Sequence, residues 1–286
     1  MIIISTRKKF VNPDRGIEDY AVKEYELNEE GKHLLINEFS KSDFYNEVTG
    51  NKILILVHGY NNDFEDALCT YKQIEDKLIT NGNYYDHIIG FIWQGNDKPY
   101  EFVRAKHSVK KVGYELHLVL DKMISMGKQV DVMAHSLGNS VVFHSTKNKF
   151  TDGKVNNFYS IAAAVDNDSL NTEGKFYNAL GNIDDIFIFY SKYDRVLRSS
   201  YKIGDKIHDS FDVDSDIALG LKLPEDLEFF ETKVNNVHFI NCSNIVGDGN
   251  KSKHSKYKNS NLFFQFINER INNNSPSSNF QNHYTI

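Results

Sequence analysis

Short runs of Ile, Val and Phe alternate with longer amphipathic stretches along most of this chain, and that alternation constrains the fold more than any other feature. It is the pattern of βα units wound around a mainly parallel sheet. Ile53–Val57 reads as the clearest buried strand, followed by His87–Trp93, Gln129–Ala134, Asn157–Ala163, Asp185–Tyr190 and Val237–Cys242. Each run is too short for an independent helix and is rich in β-formers, so strand is predicted at each. Between them, Phe64, Leu68, Tyr71, Ile74 and Leu78 recur at helical spacing, as do Val109, Val112, Leu116, Leu120 and Met123. These stripes are expected to pack on the sheet. Before residue 52 the helical partners are missing: Ile2–Thr6, Tyr20–Leu27 and Leu34–Phe39 read as antiparallel additions to one edge. The fold expected is α/β, with flanking helices and extra N-terminal strands.

With 286 residues, one large domain or two ordinary ones are both open. No linker divides the core, so a single domain over residues 1–271 is expected, with an Asn/Ser-rich flexible tail at 272–286. The net charge of −6, from 33 basic and 39 acidic residues, lacks the positive field that phosphate-backbone binding needs, so no nucleic acid is expected. Two cysteines, Cys69 and Cys242, stand far apart and support neither a zinc ribbon nor a disulfide framework. The start, Met1-Ile2-Ile3-Ile4-Ser5-Thr6-Arg7, has its apolar run ahead of its basic residues and is too short for a secretory leader. No stretch approaches a membrane span of about 18 apolar residues. A soluble, cytoplasmic protein of bacterial type is the expectation.

The chemistry concentrates in Val130-Asp131-Val132-Met133-Ala134-His135-Ser136-Leu137-Gly138-Asn139-Ser140. A buried strand enters a tight turn at Ser136 and continues as the apolar helix Val141-Val142-Phe143. Such a strand–turn–helix context lifts a serine Oγ above the sheet, and it needs small residues beside the turn, here Ala134 and Gly138. A second segment, Leu56-Val57-His58-Gly59-Tyr60-Asn61-Asn62, also leaves a strand and enters a helix near Phe64. Alone it would be a plain turn. With the first segment it can supply a main-chain N–H, from Tyr60, that pairs with the Leu137 N–H to hold a developing oxyanion. His58, Gly59, Asn61, His135 and Trp93 are the candidate pocket residues around it.

A serine hydroxyl needs a base, and the base needs an orienting acid. In the order Ser, Asp, His, Asp194 follows the strand ending at Tyr190 and so shares the rim with Ser136. Asp166 is the runner-up, while Asp184 and Asp185 precede their strand. Among the histidines after Asp194, His208 comes before the last strand, His238 lies within it and His283 is in the tail. His254, in the loop after that strand, is the base expected.

With these residues, the chain resembles the DUF900 family, a bacterial branch of the α/β-hydrolases whose members are predicted esterases and lipases. The pieces that carry the resemblance are Ile4-Ser5-Thr6-Arg7, Val57-His58-Gly59-Tyr60-Asn61-Asn62, Ala134-His135-Ser136-Leu137-Gly138-Asn139, Ala162-Ala163-Ala164-Val165-Asp166, Asp194-Arg195-Val196-Leu197 and His254-Ser255-Lys256-Tyr257. The resemblance implies a serine hydrolase with the triad Ser136, Asp194 and His254, and it does not imply a substrate. From the residues themselves the expected substrate is a small-molecule or lipid acyl ester, with no cofactor and no metal. Thioester and amide hydrolysis would use the same parts. Where relatives have a Ser-Trp-Pro-like segment, this chain has Ile92-Trp93-Gln94-Gly95, so the rim at Trp93 is the part the resemblance determines least.

Two charged segments flank the expected site. Asp205–Glu231 carries nine acidic residues and two lysines, and a small cap within 201–235 is one reading of it. Asp212, Asp214 and Asp216 have the start of a calcium loop, but Ile217 and Leu223 stand where such a loop needs glycine and glutamate. Lys251, Lys253, Lys256 and Lys258 surround His254 and could attract anionic substrates. A metal site from His58, His135 and His144 has no supporting spacing. A non-catalytic interaction module on the same fold is the reading from a different class, and it leaves the ordered Ser, Asp and His unexplained.

Overall fold

In a computed structural model of the full chain, the residues described are 1–28, 32–82, 84–95, 101–201, 217–247, 254–272 and 283–286. Among them, ten strands form one sheet in the order β10-β9-β8-β7-β6-β4-β5-β1-β2-β3. The strands are β1 (Ile2–Lys9), β2 (Asn12–Leu27), β3 (His33–Phe39), β4 (Lys52–Val57), β5 (His87–Ile92), β6 (Gln129–His135), β7 (Val155–Ile161), β8 (Ile183–Tyr190), β9 (Val237–Asn241) and β10 (His283–Thr285). Pairing is parallel from β10 across to β1 and antiparallel from β1 to β3. The expected mainly parallel sheet with antiparallel strands at its N-terminal edge is therefore present.

The helices are α1 (Lys41–Glu47), α2 (Phe64–Thr80), α3 (Phe102–Ser125), α4 (Gly138–Thr146), α5 (Leu227–Thr232), α6 (Ser243–Val246) and α7 (Asn261–Asn272). Both sequence stripes face inward: the five apolar positions read on α2 and the five on α3 are all buried. Asp63 caps α2, its carboxylate accepting from the Asp66 N–H at 2.8 Å, which starts the helix directly after the His58–Asn62 loop.

Two pairings differ from the sequence reading. β1 is not wholly an antiparallel addition, because it lies parallel to β5 with Ile2 opposite Ile89 and Ser5 opposite Ile92. Its side chains are buried along Ile2–Arg7, as befits a strand with neighbours on both edges. At the other edge His283–Thr285, placed in the tail by composition, pairs in parallel with Phe239–Asn241. Residues 273–282, 202–216 and 248–253 lie outside the described residues, and with them Lys251, Lys253, His208 and the three aspartates of the calcium-like segment. Of the segment read as a cap, Ala218–Gly220 lies against the Ala163–Asp166 loop, with Gly220 N–H donating to Ala163 O at 2.9 Å and Leu219 N–H to Val165 O at 2.8 Å. Ala218 and Leu219 are buried, and so is Phe230 of α5, which packs edge-on against Phe239 of β9.

The order of the strands decides where a site can form. From β4 the chain first adds β5 on one side and then crosses to β6 on the other, so the loops after β4 and β6 leave the sheet side by side. Such a crevice at the carboxyl ends of parallel strands is where open α/β sheets hold ligands.

Candidate active site

Register places the two signature segments in contact. Val57 pairs with Ala134, so the residues that follow, His58-Gly59 and His135-Ser136, leave the sheet as neighbours. Ser136 has φ +54°, a left-handed conformation that few non-glycine residues adopt and that commonly marks a functional turn. The strained turn is over-determined by its surroundings. Ser136 N–H donates to Ile161 O at 3.0 Å, and the Ser136 carbonyl accepts from Asn139 N–H, Asn139 Nδ2 and Ala164 N–H at 3.1, 2.8 and 3.2 Å.

The small residues are required by space. A Cβ on Gly138 would lie 2.5 Å from His58 O, and one on Gly59 would lie 2.9 Å from Ser136 Cβ. Both contacts are with neighbouring loop or turn atoms that cannot give way cheaply. Gly138 therefore lets α4 start against the β4 loop, and Gly59 lets that loop lie against the serine.

Asp194 and His254 arrive from loops far apart in sequence. Asp194 lies beyond the end of β8, fully buried. Its Oδ1 accepts from Leu197 N–H at 3.1 Å and its Oδ2 accepts from His254 Nδ1 at 2.6 Å. Burial pushes the Asp194 carboxyl upward, but the His254 hydrogen bond and charge, the Leu197 N–H and His135 outweigh it, and the group sits below the ordinary aspartate range. His254 Nε2 is enclosed and has no hydrogen-bond partner among the described residues. The backbone of His254 is held at the elbow itself, because His135 Nε2 donates to His254 O at 3.0 Å and the two rings lie 4.5 Å apart. Asp166, the runner-up acid, forms a backbone bridge with Ala218 instead, and His238 is bonded to Asp185 at 2.8 Å.

Two of the candidate pocket residues do structural work. His58 is buried, donates from Nδ1 to Gly59 O at 2.7 Å and accepts at Nε2 from Trp93 N–H at 3.0 Å. Burial, helped by the nearby Arg7 charge, pushes its pKa down to about 3, so it stays neutral with both nitrogens committed. Trp93 is fully enclosed, stacks on His58 and donates its indole N–H to His58 O at 2.7 Å. It supports the loop from below rather than lining a pocket. His135 is likewise pushed down to about 3, by burial first and then by His254. Asn61 has φ +57° and donates its N–H to Gly95 O at 3.1 Å, which turns the loop around Tyr60.

Sequence reasoning gave Arg7 no role at the site. It is buried, and donates from Nε to Trp93 O at 2.9 Å and from Nη2 to Asn62 O at 2.8 Å. The one available signal was its place in Ile4-Ser5-Thr6-Arg7, a strand whose apolar run ends on a charge. No group of three or more His, Cys, Asp or Glu residues suited to a metal ion occurs among the described residues. Among the described residues, no helix is long and apolar enough to cross a membrane.

Two solved structures are similar to the chain at low identity. The product of gene lin2722 from Listeria innocua is similar at 11% identity over 83% of this chain and 99% of that one, with a TM-score of 0.46. The mature lipase BlEst2 from Bacillus licheniformis is similar at 11% identity over 77% of this chain and 75% of that one, with a TM-score of 0.29. No curated protein matches the chain significantly. Residues 37–270 match the family model for the α/β-hydrolases of unknown function termed DUF900, and the chain belongs to that family.

Proposed function

We propose that this protein is a serine hydrolase that cleaves a carboxylic ester through an acyl-enzyme. The observation that carries the reading is the Asp194–His254 pair at 2.6 Å, with the second imidazole nitrogen enclosed and unpartnered beside the elbow of Ser136. An aspartate on Nδ1 fixes the tautomer in which Nε2 has a free lone pair, and that lone pair is what a general base needs. Ser136 Oγ attacks the ester carbonyl as its proton passes to His254 Nε2. The carbonyl π pair moves to oxygen, where the N–H groups of Tyr60 and Leu137 receive it. Collapse expels the alcohol, which takes the proton from His254. Water, activated in the same way, then releases the acid and restores Ser136. The Ser136 Oγ–His254 Nε2 hydrogen bond is expected to form on substrate binding, since such bonds tighten there.

Labelling with a fluorophosphonate probe tests the assignment, because the probe reacts only with an activated serine. Wild-type protein is expected to be labelled and Ser136→Ala not. Equal labelling of both, or of neither, overturns the serine-nucleophile reading and favours an interaction module on the same fold. A series of p-nitrophenyl esters of increasing chain length, with thioester and anilide analogues, then assigns the bond class.

A further inference from the structure

The loop that is to aim the Tyr60 N–H has its supports on both sides, and they meet at one side chain. On the near side, His58 is held by Trp93, whose main-chain N–H and indole N–H both donate to it. On the far side, Asn62 turns back, its Nδ2 donating to Tyr60 O at 2.9 Å. Arg7 joins the two. Its guanidinium donates to Trp93 O and to Asn62 O, and at 3.4 Å to Val11 O in the turn after β1. The Trp93 carbonyl also accepts from Gly95 N–H at 2.8 Å, and Gly95 O accepts from Asn61 N–H. Arg7 reaches this position because β1 pairs in register with β5, Ser5 opposite Ile92, so that the residue two steps on lies beside the end of β5.

We propose that Arg7 is a positioning residue of the oxyanion site, holding the His58–Asn62 loop so that Tyr60 N–H points where the ester oxygen becomes negative. The proposal rests on the serine-hydrolase reading above. Arg7 stands outside residues 37–270, so this support comes from a strand that the family match does not include. Arginine suits the role because its planar fork reaches two carbonyls from different segments at once and keeps its charge when buried. Lysine offers a point charge with no such fork. Arg7 neither gains nor loses a proton in the cycle. As the Ser136 Oγ–carbon bond forms, the π pair goes to the carbonyl oxygen and the proton to His254, while Arg7 keeps the receiving amide aimed.

The test compares wild type with Arg7→Lys, Arg7→Gln and Trp93→Phe. Fluorophosphonate stoichiometry counts working sites, and kcat and KM for p-nitrophenyl butyrate are then expressed per labelled site. Inhibition by phenylboronic acid, which forms a tetrahedral anionic adduct with serine, reports on the oxyanion site directly. Loss of a whole oxyanion donor costs about 100-fold to 1,000-fold in kcat, so misaiming one is expected to cost about 10-fold to 100-fold in Arg7→Lys and Arg7→Gln. KM should stay within about 3-fold, and phenylboronic acid should weaken in step with kcat. Trp93→Phe, which keeps Arg7 but loses the indole donor, should fall between these and wild type. If the Arg7 variants lose labelled sites and thermal stability while kcat and boronic acid affinity per labelled site stay at wild-type values, Arg7 only holds the fold and the proposal is overturned. Wild-type protein that takes no label overturns the hydrolase reading, and the role of Arg7 falls with it.

Discussion

Asp131 and Asp194 are both buried carboxylates on one sheet, the first near the start of β6 and the second past the end of β8. Asp131 is surrounded by neutral donors: Tyr85 Oη at 2.6 Å, Asn156 Nδ2 at 2.7 Å, and Asn157 through its N–H at 3.0 Å and its Nδ2 at 3.1 Å. Burial dominates there, and the Asp131 carboxyl is raised above the ordinary range despite those bonds. Asp194 has an imidazole as its principal partner and is lowered. Asp131 lies five residues before Ser136, roughly 16 Å along the strand. Asp131 is held by neutral donors only, and behind one of them, Tyr85, lies the neutral hydroxyl of Tyr159. Asp194 holds a histidine whose second nitrogen has no hydrogen-bond partner among the described residues. What distinguishes the two carboxylates is therefore the partner each holds, since burial is common to both.

That contrast is most sharply tested by making the same substitution at both sites. Asp194→Asn is expected to lower kcat by about 10,000-fold, because an amide partner releases His254 into the wrong tautomer. Asp131→Asn should leave kcat per labelled site within about 3-fold. Equal losses in steady-state kinetics would break the comparison. Stability should rank the other way. Asp131→Asn turns an acceptor oxygen into a donor among the donors Tyr85 Oη, Asn156 Nδ2 and Asn157, and a loss of about 2–3 kcal/mol is expected from the urea midpoint. Asp194→Asn keeps the shape and a partial hydrogen bond, and should cost about 1 kcal/mol. A larger loss at position 194 than at 131 would assign Asp194 a mainly structural role.

The most gradual expected effect is in the pH dependence of folding, and its sign differs between the two carboxylates. Asp194, lowered in the folded state, binds its proton more weakly there than in the unfolded chain. Its contribution is present above the ordinary aspartate pKa and is lost as pH falls through the folded value. Asp131, raised, contributes fully below the ordinary aspartate pKa and loses that contribution as pH rises through the folded value. His58 and His135, each pushed down to about 3, add stability above pH 6.5 that drains away as pH falls toward 3. Each group changes stability by at most about 1.4 kcal/mol per pH unit within its window. Urea midpoints from pH 7 to pH 3.5 should thus fall less steeply in His135→Gln and more steeply in Asp131→Asn than in wild type. Parallel curves for all three would remove the assigned protonation states.

The elements that were legible in the sequence are those whose signal is local. β4 and β6 are uninterrupted apolar runs, and the elbow at Ser136 lies within a dozen residues of a single strand–turn–helix pattern. Asp194 and His254 could be ordered, because each follows a strand that could be read, and the structure joins them by one hydrogen bond. The parallel pairing of β1, by contrast, depends on which strand is free to receive it after β5 has formed. β10 is three residues long, and its stability comes from the edge of β9 rather than from its own composition. His58 and Trp93 looked like pocket residues because they stand in the right loops. Their side chains are consumed by one another, a contact across 35 positions that neither segment announces. The same is true of Arg7, whose acceptors lie as much as 86 residues away.

The sequence by itself determined the alternating strands and helices, the turn at Ser136 with its small neighbours, and the order in which Ser136, Asp194 and His254 follow their strands. These follow from side-chain volume, backbone preference and periodicity, which act over a few residues. Only the tertiary structure decided that β4 and β6 leave the sheet together, that Asp194 takes His254 rather than another histidine, and that Arg7 reaches beneath the His58–Asn62 loop. Those outcomes depend on strand register and on which buried polar groups find partners. The second is a requirement of the whole interior, because a donor or acceptor removed from water is costly until some segment, however distant, satisfies it.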